Sequence, residues 1–254
     1  MTPAYSELVD LLAAREGIVC VVGAGGKKSL IYALARGHGG RVALTATAHT
    51  TEFPADLPAG QIVDEEVALP ERIAQIARDR SVAYACPSRK PGRYAGVSAA
   101  TIRTIHNEGD FAATFVKADG ARMRWLKAPA VDEPLIVPGS STVIPVVSIL
   151  AAGEPLTERV AHRIERVEAA AGLSRGEILT PEAIGRLLAS EQGALQGADG
   201  MRVVPVINMV ENDRQEELAR ATAAAALAMT ARFDRVVLCR LTPGSESIVA
   251  VVTR

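Results

Sequence analysis

Two patterns of apolar and polar positions alternate along this chain. Short continuous apolar runs read as strands buried on both faces, and stretches with apolar residues every third or fourth position read as helices packed by one face. Strands are predicted at 18–22, 41–45, 81–85, 111–118, 143–148, 202–207, 235–239 and 247–252. Helices are predicted at 28–36, 67–79, 98–107, 157–171, 181–189 and 213–231, and a first helix opens on the cap-and-proline pair Thr2-Pro3 and ends near Gly17. Alternation of the two types predicts an α/β fold with a mostly parallel sheet and helices on both faces. With no repeat, linker or low-complexity tract, residues 1–254 are simplest as a single domain. Residues 119–142 break the pattern, being rich in proline and weak in periodicity, and a long irregular stretch inside a compact domain is more often functional than idle.

The junction between the first buried strand and its helix carries the densest chemistry. Val22-Gly23-Ala24-Gly25-Gly26-Lys27-Lys28-Ser29 places three glycines, two lysines and a hydroxyl at a helix start. Glycines let a backbone turn tightly and approach an anion, the helix N-terminus adds partial positive charge, and a lysine supplies a point charge for phosphates. The chain has only five lysines against 23 arginines, so an adjacent pair here is notable. The motif G-x-x-x-x-G-K-[ST] is matched imperfectly, because Val21 stands for the first glycine and Lys28 for the hydroxyl residue. Either Lys27 or Lys28 can be the phosphate lysine in this reading. A glycine-rich turn that binds nothing is the plainer alternative. Dinucleotide binding, and with it a Rossmann-type oxidoreductase, is the weaker reading, since Lys28 replaces the third glycine of G-x-G-x-x-G. The second strand also ends in Leu44-Thr45-Ala46-Thr47-Ala48-His49, with no acid for a ribose.

Totals narrow the class. There are 28 basic and 29 acidic residues and 4% aromatics, so neither electrostatic capture of nucleic acid nor a base-stacking surface is expected. Cys20, Cys86 and Cys239 are far apart, which predicts buried free thiols rather than disulfides or a metal cluster. The first residues read as an amphipathic helix and no apolar run approaches a membrane span, so a cytoplasmic protein is expected.

Other candidates lie at strand ends. Asp119, after the 111–118 strand, has the position and charge to hold magnesium, although Asp-Gly is also ordinary turn chemistry. Arg122, Arg124 and Lys127 follow as anion contacts or solvated loop charges. Thr45, Thr47, His49, Thr50 and Thr51 cluster after the second strand, where hydroxyls can meet a γ-phosphate and its metal. Asn208-Met209-Val210-Glu211 looks like a degraded N-K-x-D element, in which Asn208 would contact a base edge or brace the glycine loop. His162-Arg163-Ile164-Glu165 reads as a charged helix face with i,i+3 and i,i+4 pairs.

Taken together and in order, several blocks resemble the YqeC family. They are Val22-Gly23-Ala24-Gly25-Gly26-Lys27, Leu44 through His49, Tyr94-Ala95-Gly96-Val97-Ser98 and Ala118-Asp119-Gly120-Ala121-Arg122 through Leu126-Lys127-Ala128-Pro129. Glu133-Pro134-Leu135-Ile136-Val137-Pro138, His162-Arg163-Ile164-Glu165, Leu179-Thr180-Pro181-Glu182 and the Asn208 strand complete the set. The resemblance implies a P-loop NTPase-like fold of the SIMIBI type. It also implies an accessory role in maturing a selenium-dependent molybdenum hydroxylase or its cofactor. Lys28, Lys117, Asp132, Met209 and Glu211 depart from the family pattern, where Ser or Thr, Glu, His, Lys and Asp are expected in turn.

The leading expectation is a protein that binds ATP or GTP with magnesium and uses binding or hydrolysis, as an NTPase that Lys28 in place of Ser or Thr would make slow or inactive. Lys27 and Asp119 are its candidate catalytic residues, and Ser29 and Asp119 its candidate metal ligands. Gly23, Ala24, Gly25, Gly26, Lys27, Lys28, Ser29, Thr45, Thr47, His49, Arg122, Lys127 and Asn208 are the candidate nucleotide contacts. Expected partners are a molybdenum hydroxylase or its cofactor-maturation proteins, with a homodimer allowed by analogy of fold. Lys28 supports a different class of function, a non-hydrolysing module or carrier for an anionic ligand such as a nucleotide or pterin-phosphate cofactor.

Overall fold

The computed structural model describes residues 3–241 and 247–254. The expected Thr2 cap therefore lies outside the described residues. In chain order the first elements are α1 (Pro3–Leu11), β1 (Gly17–Gly23), α2 (Lys27–Gly37), β2 (Val42–Ala46), β3 (Thr50–Thr51), β4 (Gly60–Val63), α3 (Leu69–Ala74), β5 (Val82–Ala85), β6 (Arg93–Tyr94), α4 (Ala99–Glu108) and β7 (Ala113–Lys117). There follow β8 (Leu126–Lys127), β9 (Thr142–Ser148), β10 (Ala161–His162), α5 (Ile164–Ala171), α6 (Pro181–Ala189), β11 (Arg202–Val203), β12 (Val206–Asn208), α7 (Asp213–Met229), β13 (Arg235–Cys239) and β14 (Ile248–Thr253). The fold is α/β with mostly parallel strands. Contacts divide the chain into two compact units. The first holds 1–21, 30–120 and 135–142; the second holds 22–29, 121–134 and 143–254.

In the first unit β1, β7, β2, β5 and β4 lie side by side in that order, every pair parallel. Every residue of β2 and β5 is buried, as is all of β7 except Lys117. Successive side chains of a strand point to opposite faces, so burial at every position means that both faces are covered. That is why these strands read as mainly apolar runs. α4 is capped by Ser98, whose hydroxyl accepts from Thr101 N at 3.2 Å. Glu66 accepts in turn from Ser98 N at 3.1 Å and from the Thr101 hydroxyl at 2.6 Å.

In the second unit β9, β12 and β13 run parallel, β14 returns antiparallel on β13, and β11 pairs with β9. All seven residues of β9 are buried. α6 packs on α7 at Gly185, where an added Cβ would come within 2.8 Å of Ala225 Cβ and 3.1 Å of Thr222 O. Small residues at this crossing, with Ala219, Ala223 and Ala226 buried on α7, let the two backbones approach.

Several expected boundaries change for local reasons. The predicted strand 202–207 splits into β11 and β12 at Val204-Pro205, where proline offers no N–H to a ladder. The predicted helix 157–171 starts only at Ile164, because Ala161-His162 are drawn out to pair with Leu126-Lys127 and Arg163 adopts a left-handed backbone (φ 62°). The predicted helix 67–79 becomes a 3-10 turn at Glu66–Ala68 followed by α3. The first helix stops at Leu11, well short of Gly17, and the short strands β3, β4, β6, β8 and β10 have no apolar run to announce them.

Phe115, at 0% exposure in β7, lies between Val19 of β1 and Leu44 of β2. Phe115→Ala is expected to cost about 3–5 kcal/mol through lost burial and a cavity. The checking measurement is a fall in the urea midpoint at unchanged slope.

Candidate functional site

Gly23, Gly25 and Gly26 each take a positive φ, at 88°, 83° and 125°, which L side chains rarely adopt. Each also presses against other backbone or side chains of the second unit. A Cβ on Gly23 would lie 2.3 Å from Val146 O, and one on Gly25 would lie 2.6 Å from both Ser148 N and Ser148 Cβ. One on Gly26 would meet Asn208 Nδ2 at 2.2 Å. Ala24 N donates to Val146 O at 2.8 Å, tying the loop to β9. Asn208, 2% exposed at the end of β12, donates from Nδ2 to Gly25 O at 2.8 Å. Its Oδ1 is buried without a hydrogen-bond partner among the described residues.

α2 begins at Lys27 itself, one residue earlier than expected, so Lys27, Lys28 and Ser29 form its first turn. Lys27 is buried, and its ammonium folds back over the loop onto Gly23 O. Lys28 is half-buried and Ser29 exposed. The arrangement gathers a cation, a helix N-terminus and tightly turned backbone in one place, which is anion-binding chemistry. Met209 takes a left-handed backbone (φ 66°), and its sulfur accepts from Ser148 Oγ at 3.0 Å. Glu211 pairs with Arg240 at 3.3 Å. Of the expected contacts, Gly23, Ala24, Gly25, Gly26, Lys27 and Asn208 are brought together.

The remaining candidates divide between the units. In the first, Thr45 donates to Tyr84 O and Thr47 to Leu135 O, each at 2.8 Å, so both hydroxyl protons already have acceptors. His49 is exposed, and its carbonyl accepts from Lys117 Nζ at 2.8 Å. Asp119 is buried just beyond β7. In the second unit Lys127 is buried and its ammonium lies 2.6 Å from Glu133 Oε2. Arg163 reaches the other oxygen of that carboxylate at 2.8 Å. The expected exposed helix face at 162–165 is therefore corrected: His162 is in β10, and Arg163 turns inward to an ion pair.

Sequence reasoning passed over Ser148, Glu133 and Arg163 as site residues. Glu133 stood in a recognisable block, but its second partner, Arg163, lies 30 residues further along the chain. Burial raises the Glu133 carboxyl, and the bonds from Lys127 and Arg163 outweigh that, holding it below its usual range. Burial lowers the His162 imidazole, and the nearby charges of Arg163, Lys127 and Arg122 push it the same way.

Gly25→Ala forces backbone against backbone at a positive φ, so the loop must rearrange at a cost of about 1–3 kcal/mol. Asn208→Ala removes the brace and costs about 1 kcal/mol; thermal unfolding of both variants reads the difference. Because the folded Glu133 value lies below 4.5, its ion pairs contribute fully above pH 4.5 and are lost as pH falls through the lowered value. Urea titrations between about pH 6 and about pH 3 should show wild type losing more stability than Glu133→Gln.

The family model described as YqeC protein matches residues 19–165, a span that takes in the glycine loop, Asp119 and the Lys127–Glu133–Arg163 cluster. The chain is also 29% identical over 206 residues to a protein of Escherichia coli (strain K12), described as "Uncharacterized protein YqeC", covering 79% of each chain. A match across more than half of its length, through the segments that shape the loop and its surroundings, places this chain in the YqeC family.

Proposed function

We propose that the chain binds a nucleoside triphosphate with magnesium on the loop 22–29 and assists maturation of a molybdenum hydroxylase or its cofactor. The observation that carries the nucleotide reading is Lys27, buried and curled across a positive-φ glycine loop onto Gly23 O. A lysine held there exchanges a carbonyl for a phosphate oxygen with little rearrangement, and charge-assisted bonds to phosphate are the stronger ones. Lys27 is then the phosphate lysine, and the backbone N–H groups of the loop and of α2's first turn hold the remaining oxygens. The exposed Ser29 hydroxyl suits magnesium, which takes oxygen ligands and keeps several waters alongside substrate phosphates. Asp119 keeps its proposed role toward metal or attacking water on sequence grounds. Phosphoryl transfer asks of a protein mainly positioning and charge. The maturation role rests on the family resemblance, and the base is left open between adenine and guanine.

A second reading, a carrier that binds without hydrolysis, is favoured by Lys28. It occupies the second residue of α2, where the motif places a metal-binding hydroxyl.

ATP and GTP binding and turnover, with and without magnesium, test both readings. Lys27→Ala should weaken binding by at least tenfold, as loss of a charged hydrogen bond of about 1.5–3 kcal/mol predicts. Unchanged affinity in that variant would sink the nucleotide reading. Binding without turnover, with hydrolysis appearing in Lys28→Thr, would establish the carrier.

A further inference from the structure

Around His162 the second unit gathers several charged side chains. β8 and β10 pair in parallel, with Lys127 opposite His162. The left-handed Arg163 follows and leads into α5. The charges of Arg163, Lys127, Arg122 and Glu133 all act on the His162 ring. Glu133 meets Lys127 at 2.6 Å and Arg163 at 2.8 Å. Gln196 steadies the acid's loop by donating to Ala130 O at 2.6 Å and also to Glu133 O.

Two features go beyond a structural ion pair. Arg163 Nε is buried without a hydrogen-bond partner among the described residues, and a buried donor left in that state calls for an explanation. Arg122, Met123 and Arg163 all hold left-handed backbones, at φ 47°, 59° and 62°, a conformation that gathers at ligand sites when it occurs in non-glycine residues.

We infer that Arg122, Lys127, His162 and Arg163 form a phosphate-binding site, occupied by the Glu133 carboxylate until a phosphate group displaces it. A carboxylate offers two oxygens and one charge. A phosphate offers three or more oxygens and up to two charges, enough to meet Lys127, both faces of the Arg163 fork and Arg122 together. The site stands on β8, β10 and the start of α5, so it is independent of nucleotide binding on the glycine loop. A backbone bond runs between the two places: Ser148, against which Gly25 packs, donates its N–H to Trp125 O at 3.1 Å. Lys127 lies two residues further along, about 7 Å of strand.

The His162 imidazole reports occupancy. It sits below its usual value because of burial and of the Arg163, Lys127 and Arg122 charges, with Glu133 acting the opposite way. A bound phosphate dianion favours the protonated ring, so His162 should titrate at higher pH when phosphate is present. NMR titration of that ring is expected to show a rise with inorganic phosphate that persists in Lys27→Ala and disappears in Arg163→Gln. Glu133→Gln, which removes the internal competitor, should tighten the phosphate response roughly tenfold. A glycerol phosphate arm separates the sources, since a stronger response to it than to free phosphate assigns an esterified ligand. A ring that ignores phosphate in wild type would overturn the site. So would a response lost in Lys27→Ala, which would belong to the glycine loop, or an equal response to acetate. Should Arg163→Gln fail to fold, the wild-type and Lys27→Ala titrations decide.

Discussion

Close approach of backbone to backbone at the end of β1 is the constraint on which the candidate site depends. Gly23 lies where a side chain would strike Val146 O, and Gly25 where one would strike Ser148. Residues without a Cβ are required at both places, and the positive φ at each excludes most alternatives independently. The loop is therefore held from two sides, by β9 through Val146 and by β12 through Asn208. α2 begins directly after Gly26, so the lysine that follows has its position set by the same contacts.

Charge in the second unit is arranged by burial as much as by pairing. Lys127 is 3% exposed, and an ammonium so withdrawn from water needs an anion within hydrogen-bond reach. Glu133 supplies it and is shared with Arg163, which leaves β10 in a left-handed backbone. The shortened α5, the two-residue ladder of β8 with β10 and the left-handed Arg163 are thus parts of one arrangement. Tertiary pairing there overrides a strong helical period.

Much of the architecture was legible in the chain. β13 (Arg235–Cys239) and α6 (Pro181–Ala189) fall at their predicted bounds, and the buried runs of β1, β2, β5, β7 and β9 are displaced by no more than two residues at either end. Their signal is strong because each strand is buried on both faces along nearly all of its length, so most positions are apolar. β3, β6, β8 and β10 were invisible because a two-residue ladder has no period to read. The glycine loop was legible as a motif, although its register was open between Lys27 and Lys28.

The sequence by itself determined the α/β alternation, the strand–glycine–helix junction, the family blocks and the residue types available for anion chemistry. These are local properties, set by hydrophobic period, turn propensity and composition within a few residues. Tertiary structure decided that Lys27 folds back onto Gly23 O, and that Asn208 braces Gly25. It also decided that Glu133 joins Lys127 to Arg163. The Arg163–Glu133 and Asn208–Gly25 bonds join residues 30 and 183 positions apart. They follow from which strands lie side by side, and no short-range pattern carries that information.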